Sequence, residues 1–491
     1  MAELIHSRTS ENRLGAFLDA RGLTVEQFSR QTGLDLQIAR RLAGDRRLLP
    51  DLTFLEAVWR AYQTDPTDLA VYLPQPVDAA PAAALAGPAG AQVTICGAGN
   101  LGQALAGLLG ARGDLRVHLF VARPERARPL RERLATGAGI QVSFRDRVVH
   151  GRPALITADP AEAVVGSGLV LLCLPSFVED SVLARVIPHL PDGALIGAVP
   201  AAGGFDWKVR RWLRRAGKCA TVFGVAVIPW MCKVIRDGEH VAVLGTKRIN
   251  GQVTLPAERT EQVSDILSDV FGMPVLDLQS FLNITLNPGN QLLHPGLLYA
   301  YFRDRDGRPL PEPPLLYESI TEAAAAILER LSNELLEMRA AVEVASPGLR
   351  LSAVLPLGLS IQLAYGADVL DPRTLRSTIA SNRAYAGIRA PMLPVEAGWI
   401  IDRASRFFWE DVPHGLVVLR GIADLVGVAT PMLDEVLVWA QRQMGREYLV
   451  DGQLTGCDLP ESGAPAVYGV QRLEDLLPTG QRMSTCSMSA G

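Results

Sequence analysis

Lysine is nearly missing from this chain. Of its 48 basic residues only Lys208, Lys218, Lys233 and Lys247 are lysines, and the other 44 are arginines. Beside 45 glycines and 33 prolines, that bias reads as the codon usage of a GC-rich genome. Charge is modest too: 20% of residues are charged and the formal net charge is −4. No global field then draws the protein to nucleic acid or anionic lipid, so any such binding must come from one small region. Long apolar runs are absent. No window approaches the ~18 uninterrupted apolar residues of a spanning helix, and the first ten residues carry no apolar secretory core. The six cysteines form no C-x-x-C pair and no Cys/His metal spacing, which excludes a structural zinc site and leaves no metal ligands to name. Four of them lie in apolar or mixed runs and read as reduced, mostly buried thiols, and the expected location is the cytoplasm, with no membrane as partner.

What is present is an ordinary globular composition, 48% hydrophobic over 491 residues. At ~150 residues per domain the length predicts two to four domains. Residues 74–90 are rich in Pro, Ala and Gly without an apolar period, the composition of a semi-extended linker. Before them, residues 1–73 hold short amphipathic helical stretches. Residues 91–279 alternate β-branched runs with helical ones, the pattern of a parallel sheet wrapped by helices. Residues 280–455 carry apolar residues at helical spacing, as in 320–344 and 416–444, with few strand signals. The Gly-, Ser- and Thr-rich stretch beyond, residues 456–491, is expected to be a flexible tail.

The N-terminal segment predicts a helix over residues 12–21, then two more around a tight turn. Thr24 is placed to cap the first of that pair, and Gly33 supplies the positive φ of the turn. The next helix is predicted over residues 35–43 and bears Gln37, Arg40 and Arg41, and an apolar helix over 53–62 closes the segment. A helix pair with Gly in its turn is the helix-turn-helix pattern, and the segment resembles the phage-repressor-like family of that fold. This implies DNA as a possible partner through residues 23–47, with Arg46 and Arg47 added. Against it, residues 1–70 hold nine Arg and ten Asp plus Glu, a balance of −1, where DNA readers carry a basic face.

Gly97-Ala98-Gly99-Asn100-Leu101-Gly102 follows the apolar run 93–96 and precedes the helix-favouring run 103–109. A G-x-G-x-x-G between strand and helix is a dinucleotide-binding turn. Gly97 permits the tight turn, Gly99 lets the backbone approach a pyrophosphate, and Gly102 lets helix pack closely on strand. The helix N-terminus at Asn100 and Leu101 offers free N–H groups to the phosphates. The second strand, about residues 115–121, ends without the acid that would hold a ribose 2′-OH. Arg123 and Arg126 stand there instead, suited to a 2′-phosphate, so the expected cofactor is NADP. Glu125 keeps NAD open. Residues 169–174 form a further buried strand, and Pro175 at its carboxyl end is expected beside the nicotinamide.

Three later segments resemble the opine dehydrogenase family, the octopine/nopaline type and its staphylopine-like, metallophore-making branch. They are Pro229-Trp230-Met231-Cys232-Lys233, Asn287 through His294-Pro295, and Arg406 through Glu410-Asp411-Val412-Pro413 to Gly415-Leu416. The resemblance covers about residues 91–450. It implies a Rossmann domain followed by a helical domain of the 6-phosphogluconate-dehydrogenase-like kind, with the site in the cleft between. The whole chain is thus expected to combine α/β and all-α domains behind a helix-turn-helix bundle. The resemblance further implies a catalytic His, matched by His294, an Asp partner, matched by Asp411, and an Arg for a substrate carboxylate, matched by Arg406. Asn287 is placed with the cofactor-binding residues. His414 stands where an aromatic is expected and is a rival titrating group. Cys232 is read as packing and Trp230 as a structural anchor.

The expected reaction condenses an amine with a 2-oxo acid, pyruvate or 2-oxoglutarate, loses water to give an imine, and reduces C=N with NADPH. An imidazole is the default proton shuttle near neutral pH, and a carboxylate beside it fixes its tautomer. A guanidinium orients the oxo acid's carboxylate. The staphylopine-like branch would make the amine an aminobutyrate-extended amino acid. A homodimer is the expected assembly. Two alternatives stay open: another 2-oxo acid or hydroxy-acid dehydrogenase, and an NADP(H)-sensing transcription regulator.

Overall fold

The computed structural model describes residues 10–62, 68–72, 86–87 and 90–477, except 138, 145 and 306. Most of the expected linker therefore lies outside the described residues. Its end is a short hairpin in which Ala86 and Gly87 pair with Ala91 and Gly90. The chain forms two compact units. One holds residues up to Ala201 with Lys208–Phe281, and the other holds Ala202–Trp207 with Leu282–Pro478.

In the first unit, four helices lead: α1 Leu14–Arg21, α2 Val25–Thr32, α3 Leu36–Gly44 and α4 Leu52–Tyr62. The local signals act as their chemistry dictates. Thr24 Oγ1 accepts from the Gln27 amide at 3.2 Å while the Gln27 side chain accepts from the Thr24 amide at 2.9 Å. Gly33 takes φ +72° between α2 and α3. Asp35 stands before α3 rather than in it, capping the amides of Gln37 and Ile38. The first helix starts two residues later than expected. Asn12 ends a short strand, Ser10–Asn12, that pairs with Ala70–Tyr72, and its side chain donates to the Asp45 and Leu48 carbonyls. These helices share a core of Phe17, Phe28, Phe54 and Val58 that also takes in Leu276, a residue of the sheet. The contact pattern thus groups the leading helices with the sheet in one unit.

That sheet is built from β1 Gly90–Cys96, β2 Leu115–Phe120, β3 Leu155–Thr157, β4 Leu169–Leu172, β5 Leu195–Ala198, β6 Thr221–Val225, β7 Asn250–Leu255 and β8 Val275–Asp277. Its order is β3-β2-β1-β4-β5-β6-β7-β8. The first six run parallel, β7 runs against β6, and β8 is parallel to β7. The central strands are buried throughout, as near-continuous apolar runs require. The chain order reverses between β1 and β4, and open α/β sheets bind ligands beyond the strand ends at such a point. A hairpin, Trp230–Arg236 with His240–Thr246, joins Ile140–Ser143 and Val148–Gly151 in a second, four-stranded sheet. Trp230 is buried edge-on against Phe271, ring centroids 6.0 Å apart, as a structural anchor should be.

The second unit is mainly helical, with α8 Asn290–Phe302, α9 Glu322–Ala345, α10 Val417–Val426 and α11 Pro431–Met444 around one apolar core, whereas α5 Asn100–Gly110, α6 Pro124–Ala135 and α7 Ser176–Val186 belong to the first unit. The periodic run 416–444 is two helices, not one, because Gly427 ends α10 at φ +68° and Pro431 opens α11. A hairpin of Met392–Val395 and Gly398–Ile401 interrupts the helical pattern.

The expected tail needs correcting. Residues up to 477 are built into this core, with Ala464, Tyr468, Val470 and Leu476 each under one-tenth exposed. Gly421 on α10 leaves the space that Pro465 fills, since a Cβ there would meet Pro465 at 2.6 Å. Composition misled because a few well-spaced apolar groups anchor a stretch otherwise rich in polar and small residues. Residues 478–491 lie outside the described part.

Candidate active site

The Gly-rich turn joins β1 to α5, Asn100–Gly110. Gly97 takes φ +113°, and a Cβ on it would lie 2.6 Å from the Cys173 carbonyl oxygen at the end of neighbouring β4. A Cβ on Gly102 would lie 1.8 Å from the Gly97 oxygen, so only glycine lets α5 sit this close to the strand. Gly99 differs: nothing stands within 4 Å of its Cβ position. It is exposed at the helix N-terminus, an open cradle that a pyrophosphate fits, with the first-turn N–H groups behind it. Leu101 is buried beneath the turn. Asn100 Oδ1 accepts from the Val234 amide at 2.9 Å and ties the turn to the second sheet.

Arg123 immediately precedes α6, Pro124–Ala135, just beyond β2. It is exposed, and its guanidinium has no partner among the described residues. Arg126 is engaged: its Nη2 lies 3.2 Å from both oxygens of Asp237. The two arginines read as a pair from sequence therefore differ in availability. Pro175 precedes α7, Ser176–Val186. The loop there is anchored by Lys208, fully buried, which donates to Glu179 at 2.9 Å and to the Ser176 carbonyl at 3.3 Å.

In the second unit, His294 lies in the second turn of α8, and Gly296 beside it permits close packing on Leu328 of α9. Asp411 precedes a wide π-helical turn, Val412–Leu416, in which the Leu416 amide donates to the Asp411 carbonyl at 2.9 Å. Pro413 has no N–H to continue an ordinary helical ladder there. The two side chains meet: His294 Nδ1 to Asp411 Oδ2 is 2.8 Å. A carboxylate accepts, so Nδ1 carries the hydrogen and Nε2 keeps its lone pair. Both residues are buried. A buried imidazole held in one tautomer by a buried carboxylate is equipped to move protons.

Arg406 sits one turn before Asp411. Its guanidinium is mostly exposed and pairs with Glu410, Nε to Oε2 2.9 Å. Asn287 lies three residues before α8, and its carbonyl accepts from the Gln291 side chain. His414 is buried in the π-helical turn, against the backbone of Gly203 and Gly463. Burial pushes the Cys232 thiol up to about 12, so it is a neutral packing group.

Residues 277–444 match the model of the NAD/NADP octopine/nopaline dehydrogenase α-helical domain. Residues 92–211 match that of the NAD-dependent glycerol-3-phosphate dehydrogenase N-terminus. Octopine dehydrogenase of Pecten maximus is 32% identical over 397 residues, covering 80% of this chain and 99% of its own length. Tauropine dehydrogenase of Arabella iricolor is 30% identical, covering 78% of this chain and 99% of its own. A solved octopine dehydrogenase with NADH and L-arginine superposes with a TM-score of 0.73 at 30% identity, over 79% of this chain and 98% of its own. The chain belongs to the opine dehydrogenase family.

As a member of that family it is an oxidoreductase with an NAD(P)-binding Rossmann domain and a helical domain. His294, Arg406 and Asp411 all fall inside the matched helical segment. Two further residues that the sequence did not single out lie against His294. Tyr317 places its hydroxyl 3.0 Å from His294 Nε2. Phe407 stacks on the imidazole, ring centroids 3.6 Å apart and planes within 7°. Phe407 was legible in principle as the neighbour of Arg406. Tyr317 carried no signal, since it lies on an irregular segment between α8 and α9.

Proposed function

We propose that this protein catalyses the NADPH-dependent reductive condensation of an amino acid with a 2-oxo acid, pyruvate first among the candidates. The observation that carries the reading is His294, buried and held by Asp411. The condensation needs such a group. An ammonium, R–NH3+, and a carbonyl give an iminium, R–NH+=C, and water, so two protons must leave nitrogen and reach oxygen. One shuttle that takes and returns a proton near neutral pH serves both transfers. When bound, the reduced nicotinamide supplies the hydride for C=N.

Arg406 is assigned the carboxylate of the oxo acid, which would take the guanidinium over from Glu410 by bidentate pairing. Asn287, Pro175, Asn100 and the three glycines are assigned to cofactor contact. Arg123 is assigned the 2′-phosphate because it is exposed and uncommitted where the 2′-OH acid is missing, and Arg126 would join it only by leaving Asp237. A free amino acid is favoured over an aminobutyrate-extended one, because the relatives at 30% identity or more include enzymes named for octopine and tauropine.

The test is NADPH oxidation with pyruvate or 2-oxoglutarate against a set of amino acids, aminobutyrate-extended ones included. Oxidation that an oxo acid supports alone, unaffected by any amine, overturns the reading. For the cofactor, Arg123→Ala should raise KM for NADPH about 10- to 100-fold, the value of a charged hydrogen bond, with KM for NADH unchanged. An equal effect on both removes the assignment.

A second reading concerns the leading helices. Gln37, Arg41, Arg46 and Arg47 are exposed along α3 and the turn after it, a surface that would suit a DNA phosphate backbone. Arg40 is paired with Glu26 at 2.9 Å, which reduces that surface. A gel shift on the DNA upstream of the gene, with and without NADPH, decides it.

A further inference from the structure

Asp237 sits in the turn of the Trp230–Arg236 and His240–Thr246 hairpin, yet its contacts belong to the dinucleotide-binding turn. Its Oδ1 accepts from the Gln103 side chain at 2.7 Å, and that side chain also donates to the Ala98 carbonyl, inside the glycine turn, at 2.8 Å. The Gly238 amide donates back to Gln103 at 2.7 Å. Gly238, at φ +72°, also lets the hairpin tip sit on α6, since a Cβ there would meet Leu130 at 2.6 Å. The tip thus bridges α5 and α6. On α6 the Asp237 carboxylate faces Arg126, whose Nη2 is 3.2 Å from each of its oxygens. We propose that Asp237 is a positioning residue that limits the preference for NADPH over NADH, by holding Arg126 away from the ribose 2′-phosphate. The proposal rests on the NADP reading above.

The location suits such a role. Arg126 lies in the first turn of α6, three residues after Arg123, at the end of the second strand where a Rossmann sheet reads the ribose. Arg123 has no partner among the described residues, so the carboxylate divides the two arginines: one is offered to an anion and one is withheld. Asp237 is not itself the ribose acid that the strand end lacks. Arg126 takes both of its oxygens, and Gln103 adds a second bond to Oδ1.

The effect falls on one cofactor. A 2′-phosphate carries up to two negative charges. To reach Arg126 it must displace a carboxylate pinned by the buried Gln103, so it meets competition and like-charge repulsion together. A 2′-hydroxyl is neutral and meets neither. The Arg126 and Asp237 side chains are 38% and 50% exposed, and so open a pair adds little to stability. Its charge can therefore be removed with the fold intact.

Asp237→Asn keeps the size and the oxygen that accepts from Gln103, and removes the charge. Titration of the full chain with NADPH and with NADH, followed by nicotinamide fluorescence without substrates, reads both affinities apart from turnover. Kd for NADPH should fall about fivefold, the upper value of an exposed ion pair, with Kd for NADH within about twofold of wild type. Adding Arg126→Ala to Asp237→Asn should take that gain away. A tip that only braces the glycine turn would weaken both cofactors in Asp237→Asn, and a carboxylate that holds a ribose hydroxyl would weaken NADH alone. Either result overturns the proposal, as does an unchanged Kd for NADPH or a gain that survives Arg126→Ala. The underlying reading fails in a different variant. Arg123→Ala that shifts both cofactors equally removes the 2′-phosphate site and this proposal with it, whereas failure in Asp237→Asn leaves the selective loss in Arg123→Ala standing.

Discussion

His294 and Asp411 stand 117 residues apart in the chain, yet Nδ1 and Oδ2 are 2.8 Å apart in a buried setting. The carboxylate sets the tautomer and stabilises the imidazolium once it forms. Asp411→Asn keeps the size and loses the charge. It should lower kcat/KM for amine-dependent NADPH oxidation at least 100-fold, by the cost of a lost charge-assisted bond to a titrating group. A steady-state assay checks this, and a loss under threefold would mean Asp411 only caps the turn that follows.

Gly99 and Gly102 should part company when each becomes Ala. At Gly102 the new Cβ would run into the Gly97 carbonyl at 1.8 Å, so α5 must shift. That variant should be markedly destabilised, by the few kcal/mol typical of overpacking. At Gly99 the Cβ meets nothing within 4 Å and φ is −82°, so the fold should survive. NADPH binding, read by the quenching or shift of its fluorescence, should weaken instead. Equal thermal stability of the two variants would contradict the packing described.

Asp277 gives a pH dependence. Burial, with the Asp51 carboxylate adding to it, pushes its pKa up to about 6, although the Gln279 amide donates to it at 2.8 Å. A raised carboxyl pKa means the charged form is disfavoured in the folded state. The group is then neutral and harmless below the unfolded value near 4, and it costs stability as pH rises through 6. Asp277→Asn should therefore raise Tm at pH 8, by about 2 kcal/mol of stability, and leave it unchanged at pH 4. Thermal unfolding at the two pH values settles the sign.

The end of the described chain should matter to stability. Leu476 is 2% exposed in the same core as α10 and α11. Leu476→Ala should cost about 2–5 kcal/mol, as buried leucine truncations do. A denaturation midpoint equal to wild type would show the segment to be dispensable.

Local chemistry was legible from the residues alone. The glycine turn, the Thr24 capping box and the left-handed Gly33 each depend on neighbours within a few positions, and each stands as the sequence implies. So do the buried strands of the sheet, because continuous apolar runs leave little choice of environment. His294 and Asp411 could be picked out only through a resemblance to known sequences, since no local rule links residues so far apart.

Tertiary structure decided the rest. It took Arg126 into a pair with Asp237, 111 residues away, and left Arg123 without a partner among the described residues. It packed the expected tail into a core by means of a few spaced apolar groups. It also brought Tyr317, from a segment with no motif, and Phe407, the neighbour of Arg406, to the imidazole. The scarcity of lysine and the near-neutral charge were plain from composition, but composition counts charges without placing them. Which arginine is free to bind an anion depends on which carboxylate the fold brings beside it.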